Sequence, residues 1–232
     1  MAGDTEEARP AGLAAHLREL KALRGPGRPQ PPRLAEVKAW QAERLARTYA
    51  DLVARPRYAA ATRFFLEDLY GPKDFSARDQ ELLRIVPVME RVLPDSAVET
   101  ASLAIEVEAL SERLDHALAR ALPAGPLDEA SYAVAYRASA SPEERLRQVE
   151  LVAQVGLRLD ALVRKPLIAG TLRLMRKPAH LAGLGDLQDF LEAGFEAFRT
   201  LGGADEFLSV FRARETEILS RLFSGASRPF SP

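Results

Sequence analysis

Carboxylates and a histidine lie close together in one stretch of the chain, and such side chains bind transition metals or exchange protons. The stretch contains Glu106, Glu108, Glu112, Asp115 and His116. Di-iron bundles use two copies of a Glu-x-x-His motif, whereas here Glu112 and His116 are four positions apart and no second copy occurs. We therefore predict a solvated, charged helix face with an i,i+4 pair between these two residues, and no metal. A metal-dependent helical enzyme that uses this face stays open as an alternative.

Histidine also serves as the haem ligand of many helical proteins. His116 falls on a long predicted helix, and His180 lies in a short apolar segment. A lone histidine is more typical of a surface or pairing role, and nothing in the sequence marks a distal pocket. We predict no cofactor and keep a haem-binding helical protein as a further alternative.

A basic and apolar tract at residues 164–185 contains two similar phrases, RKPLIAGTL and RKPAHLAGL. Proline is favoured at the first position of a helix, where free amides attract anions. The tract therefore predicts two short helices and a site for a phosphate, a carboxylate or an anionic lipid headgroup. The preferred interpretation is structural, with two helices that cap the bundle while their basic side chains extend to solvent. The candidate ligand-binding residues are Arg164, Lys165, Arg173, Arg176, Lys177 and His180.

The stretch FFLEDLYGPKDFSARD at residues 64–79 combines aromatic, acidic and helix-breaking residues. Gly71-Pro72 is expected to end one helix, and Ser76 is a suitable N-cap for the next. Its carboxylates point in different directions around the helix, which does not suit a metal site. We predict a rigid corner between two helices, and a role as a pocket wall stays open as an alternative. The residues assigned to it are Phe64, Phe65, Asp68, Tyr70, Gly71, Asp74, Phe75 and Arg78.

The amino-acid composition and the absence of known motifs argue against several classes of function. The 232 residues are 47% hydrophobic, so they can bury a substantial core, and the formal net charge of −1 argues against nucleic-acid binding. The chain has no cysteine, which excludes disulfides, zinc–thiolate sites and cysteine nucleophiles. It also lacks GxSxG, P-loop and GxGxxG motifs. No apolar run is long enough to span a membrane, and acids near the N-terminus do not suit a secretory signal, so we expect a cytoplasmic protein.

Apolar residues recur at three- and four-residue intervals along most of the chain, which predicts helices, and no alternating pattern predicts a sheet. We therefore expect an all-α bundle of eight to nine helices. Residues 1–32 form a predicted N-terminal arm with a short helix and a Pro/Gly linker, residues 33–224 a single bundle domain, and residues 225–232 a flexible tail. Segments with helical character are 11–24 in the arm and, after it, 33–54, 57–70, 77–93, 94–122, 128–138, 141–163, two short stretches within 164–185, 186–201 and 204–223.

Three phrases carry a resemblance to a known family. FFLEDLYGPKDFSARD, LSERLDHAL at 110–118 and DLQDFLEAGFEAFRTLGGADEFL at 186–208 resemble an uncharacterised family of bacterial proteins with an FFxxDLYGPxDFxxRD phrase. The resemblance covers most of residues 55–223 and implies an all-helical fold. It implies no activity and no catalytic residue.

The function predicted from the sequence is therefore non-enzymatic binding. The ligand is either a protein partner or an apolar-anionic small molecule of the lipid or acyl type. Peripheral membrane contact and homodimer formation stay open, and whether the protein is an enzyme is left undecided.

Overall fold

A computed structural model describes residues 12–25, 27–69, 81, 85–87, 91 and 94–231. These residues form helices and no strand, so the predicted all-α class is confirmed, with slightly more helices than expected. No helix in these ranges is long and apolar enough to cross a membrane. The helices are α1 (Leu13–Arg24), α2 (Leu34–Thr48), α3 (Ala50–Val53), α4 (Pro56–Arg63), α5 (Asp95–Ala121), α6 (Glu129–Ser139), α7 (Pro142–Val163), α8 (Pro166–Leu181), α9 (Gly185–Leu201) and α10 (Asp205–Ser224).

Local caps set the starts of α6 and α7. Asp128 and Ser131 form a capping box before α6, and Ser141 and Glu144 form another before α7, with Pro142 in the first turn. Each box satisfies backbone amides that have no partner within the helix. Both helices begin within one or two residues of their predicted starts because these signals are local.

Four predicted helices differ from the structure. The helix expected at 33–54 is interrupted at Tyr49 and becomes α2 and α3. The one expected at 57–70 changes after Arg63 into a π-helix, Phe64–Leu69. The two short helices expected within 164–185 are wrong, because α8 is one helix that continues through Pro178. Pro178 has no backbone N–H, so α8 lacks one hydrogen bond at this position.

The main core lies between α2, α4, α5, α7, α9 and α10. Its largest side chains include Tyr49, Phe65, Phe198 and Phe211. The helices come close where Gly156 of α7 meets α10. A Cβ atom at this position would lie 2.6 Å from Leu208 Cδ2, so the glycine allows this approach.

The N-terminal arm packs on the bundle. Leu13, Leu17 and Leu20 of α1 are buried, and the first two join a cluster with Ile105 of α5 and Leu187 of α9. The buried leucines show that α1 is docked along α5. Because α1 covers α5, this contact determines how exposed the acidic residues of α5 are and which bases lie near them.

The chain also returns to the bundle after α10. The Phe230 ring lies 5.3 Å from the ring of Trp40 and 5.8 Å from that of Tyr132. Edge-on aromatic contacts of this kind add to the burial of apolar surface. This part of the predicted flexible tail therefore packs on α2 and α6.

Candidate functional site

A cavity of about 520 Å³ lies between the N-terminal arm, α2 and the main core. This volume is within the range of small-molecule sites, roughly 300–1,000 Å³. Its apolar wall consists of Pro31, Leu34, Ala35, Leu45, Phe65, Ala104, Val107, Val152, Val155, Gly156, Leu159, Phe198, Phe207 and Leu208. Its polar wall consists of Arg24, Gln30, Arg33, Lys38, Gln41, Glu108, Ser111, Glu112 and Asp115.

The acidic face of α5 forms part of this polar wall. We predicted a solvated face, and this is wrong for Glu112, whose side chain is 2% exposed. The reason is the docking of α1 and α2, which cover α5 and bring Arg24 and Lys38 to the carboxylate.

Glu112 is the centre of a buried ion-pair network. Arg24 Nε donates to Glu112 Oε2 at 2.6 Å, and Lys38 Nζ donates to both carboxylate oxygens at 2.8 and 2.9 Å. Burial alone would raise the pKa of Glu112, but the charges of Arg24 and Lys38 and their hydrogen bonds outweigh it and lower the pKa. The carboxylate is therefore ionised at neutral pH and links α5 to both the arm and α2.

His116 accompanies Glu112 as predicted from their spacing. Its Nε2 lies 3.2 Å from Glu112 Oε1, but the geometry is not that of a hydrogen bond. Burial lowers the pKa of His116, and the nearby Glu112 carboxylate only partly opposes this effect. The imidazole is thus neutral at pH 7, and the pair is a contact between a neutral ring and an ion.

Asp115 is one of the carboxyl groups of the polar wall, and its pKa is raised. Burial raises its pKa to about 6, although Lys38, Arg145 and a hydrogen bond from Gln41 oppose the shift. The side chain is partly accessible because it faces the open cavity, yet it lies deep in the protein. A carboxyl group with such a pKa changes its protonation state near neutral pH and can either donate or accept a hydrogen bond.

A second cavity of about 80 Å³ continues beyond Asp115. The wall shared by the two cavities consists of Gln41, Ser111 and Asp115 together with Leu45, Phe65 and Val152. In the smaller cavity, Glu215 Oε1 accepts hydrogen bonds from Arg44 Nη1 at 2.7 Å and from Tyr49 Oη at 2.8 Å. The smaller cavity is thus a polar continuation of a mostly apolar one.

The metal and haem alternatives receive no support from this geometry. The described residues contain no group of three or more His, Asp or Glu side chains arranged to hold a metal ion. Glu106 pairs with Arg147 at 2.5 Å, and Glu112 is held by two bases. The described lining of the large cavity contains no histidine, and exposed His180 lies 3.0 Å from Asp189.

The predicted anion-binding residues lie away from the cavity, on α8 and immediately before it. Several have partners: Arg164 pairs with Asp160, Lys165 Nζ donates to Ser96 Oγ, and Arg176 pairs with Glu192. Three of the six residues are thus held by other side chains, and the anion site expected at the six stays a prediction.

The predicted corner is described only in part. Phe64 packs 5.4 Å from Phe190, ring to ring, and covers Gly194 of α9. Phe65 lines the cavity and lies 5.2 Å from Phe211. These contacts fit both the packing role and the role as a pocket wall. Tyr70, Gly71, Asp74, Phe75, Arg78 and the side chain of Asp68 lie outside the described residues.

Arg24, Lys38, Gln41 and Ser111 were not selected from the sequence as site residues. A signal existed for two of them, since Lys38 and Gln41 share one face of α2 with Leu34 and Leu45. Polar side chains within an apolar stripe indicate a buried polar site. No comparable signal marks Arg24, because its position depends on how the arm docks.

The fold and the cavity define an all-α bundle protein with an internal, mostly apolar pocket. The chain belongs to the family described as Domain of unknown function (DUF8198), which matches residues 23–229. The resemblance to an uncharacterised family is thus confirmed, and the match extends to the linker and α2. No curated protein and no solved structure matches the chain.

Proposed function

We propose that the protein binds a small, mostly apolar molecule with one polar end in the cavity of about 520 Å³. The observation that carries the proposal is the combination of a large apolar wall with a single polar wall around Asp115. Ligand sites typically consist of an apolar surface with a few polar groups that fix orientation. An aliphatic chain against Val107, Val155 and Phe207 would gain roughly 25 cal/mol per Å² of apolar surface removed from water.

The polar end of the ligand would meet Arg24, Lys38 and Asp115. The polar wall has three bases, Arg24, Arg33 and Lys38, and two carboxylates besides Asp115, which are Glu108 and Glu112. When Asp115 is protonated, the bases outnumber the ionised carboxylates by one, which favours an anionic group, and Asp115 would donate a hydrogen bond to it. We therefore propose a long-chain carboxylate or a related acyl compound as the ligand class. An ionised Asp115 would repel the carboxylate of the ligand. The affinity of the protein for this ligand should therefore rise as the pH falls through about 6.

Thermal-shift and native mass spectrometry measurements with long-chain carboxylic acids, alcohols and amines test the proposal. We expect the acids to raise the melting temperature and to remain bound in a one-to-one complex. An amine that binds more tightly as the pH rises through about 6 would overturn the choice of an anionic end.

A cavity-filling variant provides the matched control. Ala104 lines the cavity, whereas Ala46 lies on the exposed face of α2. Ala104→Phe should remove most of the ligand-induced shift while the protein stays folded, since the new ring occupies existing space. Ala46→Phe should bind as the unmodified protein does. Equal binding by both variants would place the ligand elsewhere and defeat the proposal.

A further inference from the structure

Helix α8 carries three leucines in a line that faces solvent. Leu167, Leu174 and Leu181 are 71%, 77% and 90% exposed. They are seven positions apart, so they recur every two helical turns and drift by only about 20° per step. Single exposed leucines are common, but an aligned set of large apolar side chains marks an interaction surface.

The chain around this line is strongly basic. Residues 161–185 contain five Lys or Arg residues and no Asp or Glu, in a protein whose overall formal charge is −1. Arg173 and Lys177 lie on one flank of the leucine line, about 40–120° away around the helix. Both are exposed, and neither forms a salt bridge with any residue that the structure describes.

The opposite face of α8 holds the helix on the bundle. Ala179 is buried, and Ile168 and Leu172 are half-buried. Gln188 of α9 donates from Nε2 to the backbone oxygen of Leu172 at 2.8 Å. The inner face therefore fixes the orientation of α8, and the leucine line projects as a ridge.

The basic residues beside the leucine ridge indicate which kind of surface the ridge contacts. If two copies packed symmetrically about Leu174, Arg173 and Lys177 of one copy would face the same bases of the other. A partner protein would need a groove whose shape fits the leucine ridge and acidic residues that face the bases beside it. An anionic bilayer surface attracts the bases and accepts the leucines without any shape requirement.

We propose that α8 is an interfacial helix that docks the protein on anionic lipid bilayers. Leu167, Leu174 and Leu181 enter the boundary between headgroups and acyl chains, and Arg173 and Lys177 contact lipid phosphates and carboxylates. The axis of α8 then lies parallel to the bilayer surface. This surface is separate from the internal cavity, so the inference does not depend on the proposed ligand.

Vesicle co-sedimentation tests the proposal with the full chain and two vesicle types, phosphatidylcholine with and without phosphatidylserine. The protein should pellet with the phosphatidylserine vesicles and stay in solution with the neutral ones. Each base near an anionic surface should contribute about fivefold in affinity, and added salt should weaken binding. No binding to either vesicle, or equal binding to both, would overturn the proposal.

Two variants of α8 and two controls locate the contact. Leu174→Ser/Leu181→Ser and Arg173→Glu/Lys177→Glu should each lose binding to the anionic vesicles. Val134→Ser/Leu146→Ser removes exposed apolar side chains elsewhere, and Lys21→Glu/Arg228→Glu removes exposed bases elsewhere. Both controls should bind like the unmodified chain, and circular dichroism checks that all variants are folded.

Two results would show that α8 does not dock the protein on bilayers. Retained vesicle binding by both α8 variants would show that another part of the chain contacts lipid. A concentration-dependent dimer in sedimentation velocity that Leu174→Ser/Leu181→Ser abolishes, without vesicle binding, would make the ridge a contact between copies. Either result excludes the interfacial helix.

Discussion

Glu112 shows how a buried carboxylate is kept ionised in this protein. Its lowered pKa follows from Arg24 and Lys38, which overcome the effect of burial. A carboxylate whose pKa is lower in the folded state stabilises the fold above its unfolded pKa. That contribution is lost as the pH falls from the unfolded value, near 4.5, through the lower folded one. The ion pairs therefore tie the arm and α2 to α5 at neutral pH.

Replacing Lys38 with methionine tests this network. The change keeps the aliphatic stem but leaves the buried Glu112 with Arg24 alone. We expect a loss of about 1–3 kcal/mol in the free energy of unfolding at neutral pH, measured by urea denaturation. The loss should shrink in acid as Glu112 becomes protonated. Arg47→Met, an exposed change on the same helix, serves as the control and should be nearly neutral.

The effect of Asp115 on the free energy of unfolding is opposite to that of Glu112. Its folded pKa of about 6 is above the ordinary value of 3.8, so ionisation destabilises the fold above about pH 6 and has no effect below both values. Asp115→Asn removes this charge. It should raise the free energy of unfolding by about 2–3 kcal/mol above pH 6, and the gain should fall towards zero in acid. A gain that is independent of pH would show that Asp115 is not protonated near neutral pH.

Among the elements, α1 connects the N-terminal arm to the cavity. It supplies Arg24 to the cavity wall, and the linker after it supplies Pro31. Its attachment depends on Leu17 and Leu20, which are almost completely buried. The arm is therefore part of the cavity wall.

Leu17→Ala should detach the arm in part. Loss of a buried leucine costs about 2–5 kcal/mol where the site cannot collapse, and here that free energy holds α1 on α5. We expect faster cleavage of the arm in limited proteolysis and weaker ligand binding. Lys21→Ala changes an exposed residue of the same helix and should leave both properties unaltered. Slow cleavage of Leu17→Ala would contradict the role assigned to the docked arm.

Local signals in the sequence predicted elements better than they predicted the site. The caps at Asp128 and Ser141 gave correct helix starts because they act within one turn. Pro178 suggested a new helix, yet α8 continues through it without the backbone hydrogen bond that proline cannot donate. The solvated face expected around Glu112 was wrong because burial of α5 is decided by a contact with α1, which is remote in sequence.

At the scale of the whole molecule, the bundle leaves a space where the arm, α2 and α5 meet the main core. Phe65, one residue of the predicted corner, forms part of its wall. The leucine ridge of α8 lies outside the cavity, so the proposed ligand site and the proposed bilayer contact are separate. Both inferences can therefore be tested without affecting each other.

The most direct test of the central claim is a methyl NMR titration with a long-chain fatty acid. The methyl groups of Val107, Val152 and Val155 line the cavity, whereas those of Val134 and Leu146 are exposed elsewhere. The cavity account predicts saturable shifts of the three lining valines, no shift of the exposed pair, and loss of the response in Ala104→Phe. Unchanged lining methyls, or shifts confined to the leucines of α8, would contradict it.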